Sequence, residues 1–190
     1  MGILIFIGLY FYASTLYPGG SQINAASIGY DWINNYWCDL YTLMEPPNPS
    51  RPFAILAMII LCLSFIIFFI QFAHVFSLSQ IWKKLMIFCG SLSMLFATFI
   101  FSSYHDLMIV LSSILGIFPV IGIVLGIYKS DLTSFKVTGS FGLILLLINN
   151  VIYYSKSGIH FLPLIQKITF LVILFWIIAL NFQIIKRKAS

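Results

Sequence analysis

From residue 52 onward the chain is a succession of apolar runs, and no break between them is longer than eight residues. A bilayer core needs roughly 20 apolar residues per helix. Six segments meet or approach that length: about 2–17, 52–76, 85–104, 107–128, 137–154 and 163–185. The first is short and is ended by Pro18-Gly19-Gly20. Proline in the first turn suits the starts of the second and sixth, at Pro52 and Pro163, while Pro119 predicts a kink in the fourth. Only 8% of the residues are charged and the mean hydropathy is +1.05. A soluble domain carries about 25% charge. The expected fold is therefore all-α, a single polytopic membrane domain with six transmembrane helices. With such short connections, successive helices are antiparallel neighbours.

The N-terminal segment has no basic residue ahead of it, and Ala13-Ser14-Thr15 is a poor cleavage site. It reads as a retained helix rather than a signal peptide. Lysine and arginine set the expected orientation. Lys83, Lys84, Lys129, Lys136, Lys186, Arg187 and Lys188 fall on one side, seven of the ten basic residues. Arg51, Lys156 and Lys167 fall on the other. That bias predicts both termini in the cytoplasm, in a bacterial inner membrane. The basic residues are scattered at helix ends, so nucleic acid is not an expected partner. Cys38, Cys62 and Cys89 have no metal-type spacing and form no even set, so no disulfide framework follows.

The first loop, residues 18–51, is the only long one. Within it Asp31, Asn35, Cys38, Thr42 and Glu45 recur at steps of four and three, beside an aromatic stripe that includes Trp32 and Tyr36. This spacing predicts an interfacial helix over residues 31–45 lying on the membrane as a lid. Its aromatics would otherwise be left in water. Pro46, Pro47, Pro49 and Pro52 predict a stiff return to the membrane. Arg51, at that return, either fixes where the second helix begins or holds a phosphate or carboxylate headgroup.

The remaining polar residues collect toward the same membrane face. His105-Asp106, between the third and fourth helices, reads either as an acid/base or metal pair or as a polar turn in which Asp106 caps the fourth helix. Asn149-Asn150 either joins helices or lines a pocket. Gln166-Lys167 lies one turn into the sixth helix, where Lys167 either snorkels outward or pairs with Asp31, Asp39 or Asp106. His160 reads as incidental, and His74 lies toward the opposite end. The candidate catalytic residues are His105 and Asp106. The candidate ligand-binding residues are Asp31, Asn34, Asp39, Arg51, Asn149, Asn150, Gln166 and Lys167. If a divalent metal is bound, its candidate ligands are His105, Asp106, Asp31 and Asp39.

The segments Tyr17-Pro18-Gly19-Gly20, Gly29-Tyr30-Asp31-Trp32, Asn48-Pro49-Ser50-Arg51-Pro52 and His105-Asp106 give a chain that resembles small six-helix membrane proteins of unknown function, and more loosely the Frag/DRAM/Sfk type. The resemblance implies a six-helix membrane fold and no activity. The alkaline ceramidase and adiponectin-receptor hydrolases need three histidines, an aspartate and a serine on one side. His74 breaks that pattern. The leading functional expectation is binding, or chemistry, on a lipid or other amphipathic molecule at an outward-facing polar site. The alternative is a non-enzymatic scaffold or subunit whose first loop contacts another membrane protein, with self-association open. A small transporter ranks third, because no internal repeat places matching breaks in both halves.

Overall fold

In a computed structural model, residues 1–44 and 46–189 are described, the side chain of Ala189 excepted. Glu45, expected on the polar face of the loop helix, lies outside them. Six α-helices follow one another: α1 (Gly2–Leu16), α2 (Arg51–Val75), α3 (Gln80–Ala97), α4 (His105–Tyr128), α5 (Thr133–Ser155) and α6 (Leu162–Ala189). There is no strand among the described residues, only an isolated bridge between Gly19 and Ile28. The chain is an all-α membrane protein. Five helices, α2 to α6, are long and apolar enough to cross a bilayer. At about 1.5 Å per residue, the 15 residues of α1 span roughly 22 Å, short of a hydrocarbon core of about 30 Å.

Helix ends follow local chemistry. Arg51 and Pro52 open α2, and Pro163 lies in the first turn of α6, where a missing N–H is tolerated. The third helix departs from expectation, running over Gln80–Ala97 instead of 85–104. Ser79 starts it early, because its hydroxyl accepts from the Trp82 N–H at 3.4 Å. Lys83 and Lys84 are thereby drawn into the first turns. The helix closes early into turns around residues 98–104. The fourth helix runs through Pro119 as one element.

Two compact units divide the chain. One holds residues 1, 3–57 and 140–175, and the other residues 2, 58–139 and 176–190. In the second unit, small residues admit close approach. Ser93 of α3 is buried and donates to the Ser112 carbonyl of α4 at 2.7 Å. A Cβ on Gly122 would sit 3.1 Å from Met86 Sδ, and one on Gly126 would sit 2.7 Å from Phe72. Phe72 stacks on Phe76 with ring centroids 4.0 Å apart. Gly122 and Gly126 of α4 thus lie against the large side chains of Met86 and Phe72. This is how helices pack where lipid offers no hydrophobic drive.

The first unit is built on loop 1. Gly20 N–H donates to the Ser27 carbonyl at 2.9 Å, and Gly29 N–H to the Pro18 carbonyl at 3.1 Å. Gly19, at φ 134°, occupies a backbone region closed to other residues, and a Cβ there would collide with the Ser27 carbonyl. The expected α-helix over 31–45 is not formed. Its place is taken by a turn at residues 32–34 and a five-residue 3-10 helix, Trp37–Tyr41. The reason is competition from side chains. Asp31 accepts from the backbone N–H groups of Ile33 and Asn34, at 2.9 and 3.2 Å, and Asn35 Oδ1 takes the Asp31 N–H at 2.9 Å. Those are first-turn donors that a helix leaves free; the ladder is broken at the Tyr36 N–H, which Asp39 Oδ2 takes at 2.9 Å in place of the Trp32 carbonyl.

Candidate functional site

The polar residues of the first unit converge on Asn35, which is fully buried. Its side-chain amide donates to the Gly20 carbonyl and to Asp39 Oδ2, each at 2.7 Å. The same Asp39 oxygen accepts from the Tyr36 N–H at 2.9 Å. The Asn35 carbonyl accepts from Lys167 Nζ of α6. That ammonium also reaches the Pro163 carbonyl at 3.3 Å and lies 5.5 Å from the centre of the Tyr30 ring. Lys167 is 5% exposed, so it does not snorkel outward. It forms no ion pair with Asp31 or Asp39 either, and the two carbonyls hold its charge. A buried ammonium is tolerated only with such partners.

Aromatic packing supports the same join. Trp37 lies 4.2 Å from Tyr10 and 5.2 Å from Phe170, centroid to centroid, and Tyr10 donates its hydroxyl to the Trp37 carbonyl. Trp37 therefore packs among α1 and α6 side chains and not flat on a membrane. Trp32 stacks 5.9 Å from Phe11 and is 42% exposed. At the far end of the loop, Ser50 Oγ donates to the Leu40 carbonyl at 2.6 Å, and Asn48 Nδ2 to the same carbonyl at 3.2 Å. Arg51 Nε donates to the Tyr41 carbonyl at 3.1 Å. Asn48 and Ser50 were not singled out from sequence. The signal was available in Asn-Pro-Ser, a stretch where prolines leave few backbone donors and side chains must supply them.

The loop chemistry is structural in character. The Asn34 amide and the Ile33 N–H hold the Asp31 carboxyl below its usual range. Burial, helped by Asp39, pushes the Cys38 thiol up to about 12. Burial also raises the Tyr30 hydroxyl, again with Asp39 contributing.

The two adjacent asparagines of α5 divide. Asn149 donates to Thr169 Oγ1 of α6 at 2.6 Å and to the Leu145 carbonyl at 2.8 Å, and so joins two helices. Asn150 faces out and bonds only the Leu146 carbonyl of its own helix. Gln166 carries a buried Oε1 without a partner, as does Asn149 at Oδ1.

In the second unit, His105 Nδ1 and Asp106 Oδ1 are 2.9 Å apart. Asp106 does not cap α4 through a hydrogen bond. The N-cap is Tyr104, with no side-chain cap, and Asp106 lies in the first turn. Its charge there is favoured by the helix dipole. The carboxylate side chain is 94% exposed and the imidazole 38%. His74 is held by the Ile70 carbonyl of its own helix at 2.7 Å. Among the described residues, no three side chains of His, Cys, Asp and Glu gather into a metal-holding group. The pair alone supplies two ligands, fewer than the four or more that zinc or calcium takes. An open groove beside the loop is lined by Pro18, Gly19, Gly20, Ala25, Ala26, Ser27, Met44, Pro46, Pro47 and Pro49, none of them titratable.

No family model matches this chain, and no curated protein or solved structure matches it.

Proposed function

We propose that this protein is a membrane-embedded scaffold whose first loop is a prefolded platform for another membrane protein. One observation carries the reading: Asp31, Asn34, Asn35, Asp39, Asn48 and Ser50 bond within loop 1, the Asn35 carbonyl takes Lys167, and Ile23, Ile28, Ile33 and Leu43 are left exposed. Asn35, Asp31 and Asp39 are engaged in building the platform. Ile28 is 97% exposed, and Ile23, Ile33 and Leu43 are exposed as well. Buried aromatic and polar groups with exposed apolar tips suit a rigid contact surface better than a cavity for turnover. The positive-inside bias puts this platform on the extracytoplasmic side of a bacterial inner membrane, with the C-terminus in the cytoplasm. The N-terminus shares that side if α1 crosses.

The test is site-specific crosslinking in intact cells. A photo-reactive residue at Ile28 should yield one discrete protein adduct, which disappears when the platform is loosened by Lys167→Met. No protein adduct, or only lipid adducts, overturns the reading. In a background lacking Cys38, Cys62 and Cys89, Ala25→Cys should react with an impermeant thiol reagent from outside. Labelling only after lysis reverses the orientation.

A second reading rests on the exposed His105–Asp106 pair. It makes this turn the polar end of a site for a lipid headgroup or other amphipathic molecule. His105→Ala should then abolish retention of lipid that copurifies with the wild type, leaving Ile28 crosslinking intact.

A further inference from the structure

Six lysines and Arg187 share one end of the second unit. Lys83 and Lys84 lie in the first turns of α3, Lys129 closes α4, Lys136 lies near the start of α5, and Lys186, Arg187 and Lys188 belong to the last turn of α6. Contacts inside the unit bring these ends together. The Arg187 guanidinium lies 4.9 Å from the centre of the buried Phe76 ring, and a Cβ on Gly126 of α4 would sit 3.3 Å from Phe76. Trp176 of α6 donates to the Phe135 carbonyl of α5 at 3.2 Å, and Lys136 Nζ lies 5.4 Å from the centre of the Tyr128 ring. Among the described residues, Asp131 is the one acidic side chain at this end, and none of the six lysines pairs with it or with any other carboxylate.

Aromatic neighbours set the depth of these charges. Lys83 follows Trp82, and Lys129 follows Tyr128, which is 74% exposed. Tryptophan and tyrosine at helix ends mark the headgroup level of a bilayer, so the ammonium groups stand among phosphates. The connections here are only residues 76–79 and 129–132, and they raise no platform comparable to loop 1. Like charges gathered without counter-charge repel one another. Lysine, unlike arginine, is a compact charge on a flexible stem that meets a phosphate from many directions and needs no fixed fork.

We propose that this end of the second unit binds anionic phospholipid headgroups in preference to zwitterionic ones, through Lys83, Lys84, Lys129 and Lys136. A lysine bias by itself only orients a chain. What points to a lipid partner is that the ends of four helices gather their cations in one unit, at headgroup depth, with no carboxylate to pair them. The phosphodiester of a phosphatidylglycerol-type lipid supplies the counter-charge where the ammonium groups lie. Phosphatidylcholine carries its own cation and supplies less. The surface is distinct from the loop 1 platform and from the His105–Asp106 turn, and the proposal holds whichever way the chain crosses the membrane.

The test uses the full chain in phosphatidylcholine vesicles carrying a trace of spin-labelled lipid. Spin-labelled phosphatidylglycerol should associate with the protein about fivefold more strongly than spin-labelled phosphatidylcholine, the worth of roughly one cation beside an anionic headgroup. Lys83→Gln with Lys84→Gln, and separately Lys129→Gln with Lys136→Gln, should each lower that ratio about twofold or more. Lys83→Arg with Lys84→Arg, which keeps the charge, should keep the preference. Lys156→Gln, in the first unit, should leave the ratio unchanged. Each variant's helical content is checked by circular dichroism. A ratio near one for the wild type, a preference that survives both double Gln variants, or an equal loss on Lys156→Gln would each overturn the proposal. So would a chain indifferent to phosphatidylglycerol whose same lysines bind soluble polyglutamate, an outcome that assigns the surface to an acidic protein.

Discussion

Loop 1 and the turn that leads into α4 both gather polar side chains at helix ends, and they use them in opposite ways. In loop 1 the groups face one another. Asn35 bonds Gly20 and Asp39, its own carbonyl takes Lys167, and Asp31 holds the turn that follows it. At the turn, His105 and Asp106 bond each other, and the carboxylate side chain is 94% exposed. A polar group that is bonded and buried stabilises a conformation. One that is bonded only to an exposed neighbour adds little to stability and remains free to meet a ligand. The same residue types therefore carry different expectations according to what surrounds them.

The sharpest way to break this contrast is at Lys167. Replacing it with Met keeps the length of the stem and removes the donor to the Asn35 and Pro163 carbonyls. Leaving a buried carbonyl unbonded costs about 1–3 kcal/mol. Amide exchange across residues 35–41 should accelerate by roughly tenfold to a hundredfold. Unchanged protection would mean that the loop is held by Trp37 packing alone.

A smaller effect is expected from pH at Asp31. Its carboxyl titrates below the ordinary range, because the Asn34 amide and the Ile33 N–H bond the charged form. The folded value lies under the unfolded one, near 3.9. The stabilisation is therefore complete above that value and is lost as pH falls through the folded value. Protection at Ile33 and Asn34, taken relative to the intrinsic exchange rate at each pH, should fall on acidification below about pH 4, and Asp31→Asn should flatten that dependence. An identical acid response in Asp31→Asn would assign it to another carboxylate.

The smallest effect on stability belongs to the turn. His105→Ala should leave thermal unfolding within about 0.5 kcal/mol of wild type, as exposed substitutions do. A larger loss would place His105 among the groups that hold the fold and would erase the contrast with loop 1.

The Asn149–Asn150 pair shows what reading a sequence leaves open. Adjacent amides in an apolar run pose one question, whether they join helices or line a pocket. The answer differs between them because 100° of helical rotation separates their side chains. Asn149 meets Thr169 of α6, and Asn150 bonds only the Leu146 carbonyl of its own helix. Loop 1 shows a different failure. The steps of four and three through Asp31, Asn35, Cys38 and Thr42 are those of a helical face, yet the segment turns at 32–34 and winds as a 3-10 helix at 37–41. Periodicity records only what could share a face. It does not register that an Asp or Asn side chain will take the backbone N–H that a helix needs.

What the sequence alone determined is the all-α membrane character and the order and approximate bounds of six helices. These follow from apolar length and from breaks at Pro18-Gly19-Gly20 and Arg51-Pro52, which are properties of neighbouring residues. The tertiary structure alone decided that Lys167 turns inward to a carbonyl 132 residues away and that Trp37 packs on Tyr10 and Phe170. It also decided that Asp106 leaves its helix uncapped. The physical reason is that a long or amphipathic side chain has several satisfactory positions along its own segment. Which of them it takes depends on donors, acceptors and rings that other segments bring within about 3–6 Å.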